Sequence, residues 1–404
     1  MKTVAIITEY NPFHNGHKYQ IDTVRRMFDE DIAIIAIMSG NFTQRGEIAV
    51  ADKLIRASAA VECGVDLVLE LPFPYSMSSA EFFAKSGVHI ANSLGVVDYL
   101  AFGSECGDID KITAVAKNMQ SDAFTSTLSE RTADAKYAKC GYAGLCESVY
   151  GELFKTDDLC GFFTPNNILA LEYVKALLAS DSKIVPITVK RCGAGYNDSK
   201  ISDTDLQSAT AIRALMHAEN AEAFDFVPPA AREIYKKATD DGMMPTDASR
   251  LDAAVISKLR LSSRDVADIH DAAGGLYNRL CELSTEATSI SSLTSLTETR
   301  RYTTARIRRA IWNSFFGVTS SDVRSMPAYT QLLATDERGR SVLKRIKKMA
   351  SFPVITKPAD YKTYSDDVIR QRELSDRADS IFALTHKRAI SGAFSLKFTP
   401  YVRK

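Results

Sequence analysis

Four short runs rich in aliphatic and β-branched residues, at 4–7, 32–38, 66–71 and 99–102, punctuate the first hundred residues. Between them lie stretches with helical spacing: a segment opening at Gly16 that carries Ile21, Val24 and Phe28, then residues 51–61 and 78–94. Near-continuous apolar strands separated by helices point to a parallel sheet buried on both faces, because each parallel crossover lays a helix across the sheet. The pattern returns with a predicted helix at 168–178 and a predicted strand at 184–189; residues 108–165 between read as mainly helical. The expected fold class is therefore α/β, with a Rossmann-like parallel-sheet core and helical insertions.

Beyond about residue 215 the strand signals thin out and helical periodicity dominates, as in Ile307, Ile311 and Phe315. The paired prolines of Phe226-Val227-Pro228-Pro229 predict a boundary, since proline breaks helices. The expected division is a core domain at 1–226 and a mainly α-helical C-terminal domain at 227–404. No run approaches a membrane span, and the amino terminus, where Glu9, Asn11 and His14 follow a short apolar run, does not read as a signal peptide. Seven scattered cysteines without a CxxC argue against a zinc ribbon or disulfide framework and fit a reducing cytoplasm. Lys+Arg and Asp+Glu both number 50, so net charge alone predicts neither a nucleic-acid nor a membrane partner.

After the first predicted strand comes Thr8-Glu9-Tyr10-Asn11-Pro12-Phe13-His14-Asn15-Gly16-His17. Its core, His-x-Gly-His, opens a helix. A helix N-terminus presents unpaired N–H groups and a positive dipole, which suits a phosphate. Gly16 lets backbone approach a nucleotide closely. His14 and His17 are one turn apart and can both donate to charge developing at an α-phosphate. In-line phosphoryl chemistry needs positioning and electrostatics more than a covalent group. On their own, the two histidines would also suit an unremarkable turn.

The blocks TEYNPFHNGH, Met38-Ser39-Gly40-Asn41-Phe42-Thr43-Gln44-Arg45-Gly46-Glu47, DLVLELP at 66–72 and Phe102-Gly103-Ser104-Glu105 together resemble the bacterial tRNA(Met) cytidine acetate ligases, a branch of the nucleotidyltransferase superfamily. The resemblance continues through Pro165-Asn166-Asn167-Ile168-Leu169-Ala170, Lys190-Arg191-Cys192-Gly193-Ala194-Gly195-Tyr196 and Ser208-Ala209-Thr210-Ala211-Ile212-Arg213. It extends more loosely to the segment from Arg301 to Arg309. Ile48 and Cys192 depart from the family's frequent proline and aliphatic residue, without removing a polar group. The resemblance implies a nucleotidyltransferase core and a two-step reaction. ATP and acetate give acetyl-adenylate and diphosphate; N4 of the wobble cytidine of elongator tRNA(Met) then takes the acetyl group and AMP leaves.

It also implies site residues. The ATP cradle is Ile7, Thr8, Glu9, Tyr10, Asn11, Pro12, Phe13, His14, Asn15, Gly16, His17, Lys18, Tyr19 and Gln20, with Gly103, Asn167, Arg191 and Cys192. His14 and His17 are the catalytic pair. Read without the family, Gly103 also suits a plain turn, Asn167 a helix N-cap and Arg191 a solvated charge. Ser208, Thr210 and Arg213 are candidates for a second phosphate site at a helix N-terminus, or else an ordinary capped helix with a surface arginine. Asn41, Gln44 and Arg45 are candidates for holding acetate or the tRNA end; a plain loop with a packed Phe42 is the ordinary alternative. Glu105 is a weak candidate for placing a metal; magnesium is expected with ATP, and its ligands stay unassigned.

Residues 300–350 hold twelve Lys or Arg against three acids in an otherwise neutral chain. Arg301, Arg306, Arg308 and Arg309 are expected to face solvent from a helix buried along Ile307, Ile311 and Phe315, with Lys344, Arg345, Lys347 and Lys348 as a second cluster. Tyr302 is placed to stack on a base. Such a patch matches a phosphate backbone, although a solvated helix face is the ordinary alternative. A small-molecule adenylyl- or cytidylyltransferase of coenzyme biosynthesis would share the histidines but not need the basic region. A non-enzymatic RNA binder would leave His-x-Gly-His idle. No stable protein partner is implied.

Overall fold

A computed structural model describes residues 1–134, 141–155, 159, 161–191, 207–262 and 268–404. Its centre is an eight-stranded sheet: β1 (Lys2–Thr8), β2 (Ile32–Ser39), β3 (Leu67–Leu71), β4 (Tyr99–Ser104), β5 (Val185–Lys190), β6 (Thr330–Thr335), β7 (Val354–Ile355) and β8 (Tyr401–Val402). The order is β5-β4-β1-β2-β3-β6-β7, with β8 also pairing β6. Strands β1 to β5 run parallel, and β6 joins β3 antiparallel. The chain winds from β1 toward β2 and β3 on one side and toward β4 and β5 on the other. The crevice between β1 and β4, at the carboxyl ends of the strands, is where such a sheet binds ligands.

Strands β1 to β3 are buried on both faces, and alternate residues feed two cores. Val4 and Ile6 join Ile34 and Val68 on one face, while Ala5 and Ile7 join Ile35, Ile37 and Leu69 on the other. The first face is covered by α1 (Asn15–Arg26), α2 (Lys53–Glu62), α8 (Ala209–His217) and α9 (Pro229–Asp240). The second carries α3 (Ala80–Ser93), α4 (Ile109–Met119), α6 (Tyr142–Phe154), α7 (Pro165–Ala179) and α15 (Glu337–Met349); α5 (Asp122–Ala133) packs against α6 at its margin. A third core gathers α10 (Asp252–Leu261), α11 (Leu276–Leu283), α12 (Ile290–Thr297), α13 (Thr304–Phe316) and α16 (Asp366–Phe382) around Phe42 and Phe73. Two short helices, α14 (Ser320–Arg324) and α17 (Phe394–Lys397), complete the chain.

The division expected at residue 226 falls inside the packed unit. Pro229 opens α9 at its first turn, where a proline without an N–H costs nothing. Tyr235 of that helix is buried in the sheet's first core, and its hydroxyl accepts the Phe13 N–H at 2.9 Å. Strands β6 to β8 also come from the C-terminal half, so the sheet itself crosses the expected boundary. The predicted helix at 168–178 starts earlier, at Pro165, because the Glu105 carboxylate accepts the N–H groups of Asn166 and Asn167 there. Among the described residues, no helix is long and apolar enough to cross a membrane.

Candidate active site

The chain leaves β1 at Thr8 and turns through Tyr10, which takes a positive φ of 45°. It reaches the N-cap of α1 at His14, whose φ of −140° and ψ of 175° are extended. The His14 ring caps the helix: its Nδ1 accepts the Gly16 N–H at 3.0 Å. His17 reciprocates, its Nδ1 accepting the His14 N–H at 3.3 Å. This is a capping box built from two imidazoles. The rings lie 3.8 Å apart at 31°. Because each Nδ1 accepts, each neutral ring carries its proton on Nε2, and that N–H is the donor left for the pocket.

Burial pushes His14 down to about 3, with Arg191 and Arg213 adding to the effect. His17 is held well below its ordinary value by burial, then by His14 and Arg191. Both rings are therefore neutral at physiological pH. Gly16 has a steric duty here: an ideal Cβ would sit 2.9 Å from His14 Cε1.

The pocket lies at the carboxyl ends of β1, β4 and β5. It brings together residues 7–11, His14, Gly16, His17, Tyr19, Gln20, Gln44, Arg45, Gly103, Arg191, Ser208, Thr210 and Arg213. A second helix N-terminus, that of α8, opens on it. Ser208 is the N-cap, its Oγ accepting the Ala211 N–H at 3.1 Å. Arg213 is fastened by Nη1 to the Asn11 carbonyl at 2.9 Å and by Nη2 to Glu47 Oε2 at 3.0 Å. Its Nη2 also donates to Thr210 Oγ1 at 3.3 Å. Two neutral N–H donors, two helix N-termini and several cationic side chains make the pocket suited to a polyanion.

Several sequence candidates sit elsewhere. Pro12, Phe13, Asn15 and Lys18 belong to the turn and first helix without lining the pocket; Phe13 is wholly buried, and Lys18 pairs with Asp22. Asn167 is buried behind the wall: its Oδ1 accepts the N–H groups of Glu105 and Cys106, and its neighbour Asn166 lines the pocket instead. Asn167 is not the N-cap of α7; Thr164 is. Cys192 lies outside the described residues. Asn41 is no acetate ligand, because its buried amide is used at both ends, by the Lys53 N–H and by Asp379 Oδ1. Gln44 and Arg45 do reach the pocket. Glu105 is spent on capping α7. Among the described residues, no group of three or more His, Cys, Asp or Glu could hold a metal.

The basic helix α13 also differs from expectation. It is buried nearly all round by Trp312, Phe316 and its neighbours. Arg309 is buried and paired with Asp271, Nε to Oδ2 at 2.6 Å, and its Nη1 donates to the Gln44 carbonyl at 3.2 Å. Arg306 donates to the carbonyls of Asp271 and Ala273. Arg308 meets Glu47 Oε1 at 2.5 Å, so one carboxylate joins Arg308 to Arg213. Tyr302 is buried, its hydroxyl donating to the Gly274 carbonyl, and offers no face to a base. Only Arg301 of the four arginines is exposed. Lys344, Arg345, Lys347 and Lys348 are exposed on α15, but at the opposite end of the strands. Arg345 reaches Met1 and Thr3 at the start of β1, and Arg338 reaches Asp31 and Asp66 ahead of β2 and β3.

Sequence reasoning missed the residues that brace the pocket from behind. Arg56, fully buried, donates to the carbonyls of Glu9, Ser39, Gly40 and Ala51. Trp312 Nε1 donates to the Gly46 carbonyl at 3.1 Å. Glu9, which the family resemblance already places in the cradle, accepts the Gln44 N–H at 2.7 Å, and burial raises its carboxyl above the usual range. An arginine inside a helix of small apolar residues was the one available signal for Arg56; Trp312 makes its contact across a long sequence separation.

The chain matches the family described as HIGH Nucleotidyl Transferase over residues 1–393. A tRNA(Met) cytidine acetate ligase of Caldanaerobacter subterraneus is 35% identical over 394 residues, covering 96% of each chain. One from Acetivibrio thermocellus is 31% identical, covering 99% of each. The chain belongs to the tRNA(Met) cytidine acetate ligase family. Crystal structures of Thermotoga maritima TmcAL superpose along the whole length, at 30% identity and covering 100% of this chain and 99% of theirs. The TM-score is 0.93 for the apo form and 0.91 for the form bound with alpha-thio ATP. The family likeness thus includes β6 to β8 and the helical third core, not the nucleotide fold alone.

Proposed function

We propose that the protein is a cytoplasmic ligase that activates acetate with ATP and acetylates N4 of the wobble cytidine of elongator tRNA(Met). The observation that carries this reading is the pair of Nδ1-anchored, neutral imidazoles at one helix N-terminus, facing a second helix N-terminus across the pocket. ATP lies against residues 7–11, His14, Gly16, His17, Tyr19, Gln20, Gly103 and Arg191, with Cys192 in the same set. Its β- and γ-phosphates meet Ser208, Thr210 and Arg213 at α8. Acetate oxygen attacks the α-phosphorus in line with departing diphosphate, and the Nε2–H groups of His14 and His17 donate to the growing charge. Gln44 and Arg45 stand at the entry for acetate or the tRNA end. The cytidine N4 amine then attacks the acetyl carbon: the N–C bond forms, the C–O bond to AMP breaks, and the amine gives up a proton. Asn167 acts by positioning the wall rather than by contact.

Magnesium is expected to arrive with ATP. Magnesium commonly keeps several waters and is bound through substrate phosphates, so it would be carried chiefly by the triphosphate. For tRNA, the exposed Arg301 is one candidate contact and the exposed Lys344–Lys348 side of α15 another. A small-molecule adenylyl- or cytidylyltransferase would share the pocket, but nothing in the pocket favours it over the family-wide reading. The test is mass spectrometry of tRNA(Met) after incubation with protein, ATP and acetate. A gain of one acetyl group on the wobble cytidine supports the reading; unmodified tRNA under conditions where ATP binds would defeat it.

A further inference from the structure

The family reading leaves open where the acyl chain goes. In-line displacement places the attacking and leaving oxygens on opposite sides of the phosphorus. The N-terminus of α8, the seat proposed for the diphosphate, belongs to the sheet face of Val4, Ile6 and Ile34, where Ile212 and Met216 are buried. The carboxylate must therefore approach from the other face. On that side the pocket changes character. Its lining becomes Ile7, Phe83, Phe102, Leu169 and Tyr173, and four of these are buried members of the opposite core. Phe102 and Tyr173 pack with ring centroids 5.6 Å apart. A hydrocarbon wall beside a polyanion site suits a short apolar tail and no part of a triphosphate.

The depth of this end is set by an unusual neighbour. Gly87 sits in the middle of α3, where glycine is disfavoured, so a packing reason is needed. An ideal Cβ there would lie 2.6 Å from Ile7 Cδ1 and 2.9 Å from both Cγ1 and Cγ2. Ile7 thus sinks into a notch that only a bare backbone provides. Phe83, one turn earlier on the same helix, supplies the facing wall.

We propose that Ile7, Phe83, Phe102 and Tyr173 form the acyl pocket, and that Phe83 together with the Ile7–Gly87 notch limits the acid to two carbons. This rests on the reading that a carboxylate attacks ATP in this pocket. One methylene in an apolar site is worth about 10- to 200-fold in discrimination. Acid-dependent ATP–diphosphate exchange with acetate, propionate and butyrate, beside the ATP KM, tests it. Phe83→Leu should cut the acetate-to-propionate ratio of kcat/KM about tenfold with little change in ATP KM. Gly87→Ala should act oppositely, forcing Ile7 into the pocket and raising the acetate KM. Should Gly87→Ala fold poorly, the milder Phe83→Leu still decides the matter. A Phe83→Leu enzyme with a raised ATP KM and an unchanged acid ratio would overturn the proposal by placing the nucleotide base at this wall. Wild-type protein that makes no acetyl-adenylate would remove the parent reading and this one with it; an active wild type with unaltered ratios in the variants removes the acyl pocket alone.

Discussion

The proposed function gives His14 two tasks through two different atoms, and the substitutions His14→Ala and His14→Asn pull them apart. Its Nδ1 caps α1 by accepting the Gly16 N–H, and its Nε2–H is the donor proposed to meet the α-phosphate. Losing a cap costs about 1 kcal/mol of stability. Losing a donor aimed at developing charge costs about 3–4 kcal/mol of activation free energy, a drop of roughly 10²–10³ in kcat. Asparagine caps helices well but cannot place a donor where Nε2 lies. His14→Ala should therefore lose both stability and rate, whereas His14→Asn should keep most of the stability and lose the rate. Thermal unfolding and acetate-dependent ATP–diphosphate exchange read the two separately. The pH dependence adds a sign. Burial holds His14 near 3, below its unfolded value, so the unfolded chain binds the extra proton as pH falls. The stability contributed by the neutral ring is complete above about 6.5 and declines below it. Between pH 6.5 and 5 the wild type should lose about 2 kcal/mol relative to His14→Asn. An asparagine variant with near wild-type turnover would refute the electrostatic role, leaving His14 as a cap only.

Other substitutions probe the frame around the pocket. Glu47→Gln breaks the link between Arg213 and Arg308 and should raise ATP KM several-fold while lowering stability by only about 1 kcal/mol, since the groups are partly exposed; unchanged ATP kinetics would separate Arg213 from the phosphate site. Lys53, wholly buried, bridges Glu70 at 2.6 Å and Asp379 at 2.7 Å. Lys53→Met should cost about 3–5 kcal/mol by leaving two buried carboxylates facing each other. Burial already raises Glu70, so the deficit should shrink as falling pH protonates that site; a urea-midpoint deficit independent of pH would refute this. Arg301→Ala should reduce tRNA affinity and its salt slope by somewhat under one unit while leaving ATP binding intact; an unchanged slope would move the RNA to another surface.

The parallel core was legible because its signals are local. Each strand from β1 to β5 is a short apolar run, and His-x-Gly-His sits where a helix must begin. Strand β6 was not legible. Thr330–Thr335 reads TQLLAT, too short for periodicity to separate a strand buried on both faces from a helical turn. Its place against β3 depends on pairing across more than 260 residues, such as Leu67 with Thr335. The pocket residues on the first helix were readable from spacing. Glu47, Arg56 and Tyr235 were not, because their importance lies in partners that sequence order does not bring near.

The arginines of α13 show where charge counting goes astray. A run of arginines without nearby acids in sequence looks like a nucleic-acid footprint, yet the acids are supplied from elsewhere in the fold. Asp271 neutralises Arg309, and Glu47 holds Arg308. The helix lies against the loop that carries Gln44 to Glu47 so closely that a Cβ on Gly46, whose φ is 72°, would come within 2.6 Å of the Arg309 amide nitrogen. Arg309 and Trp312 each donate to a carbonyl of that loop. The helix is therefore the back wall of the active site. Replacing Arg309 should cost several kcal/mol by stranding Asp271, which its partner holds in the charged form below the usual carboxylate range. Substituting the four arginines together would then damage ATP use and folding along with RNA binding. Arg301→Ala and Arg309→Ala, measured side by side for ATP affinity, unfolding and tRNA affinity, should give opposite patterns. Two variants that lose only tRNA affinity would return α13 to the role of a solvated RNA-binding face.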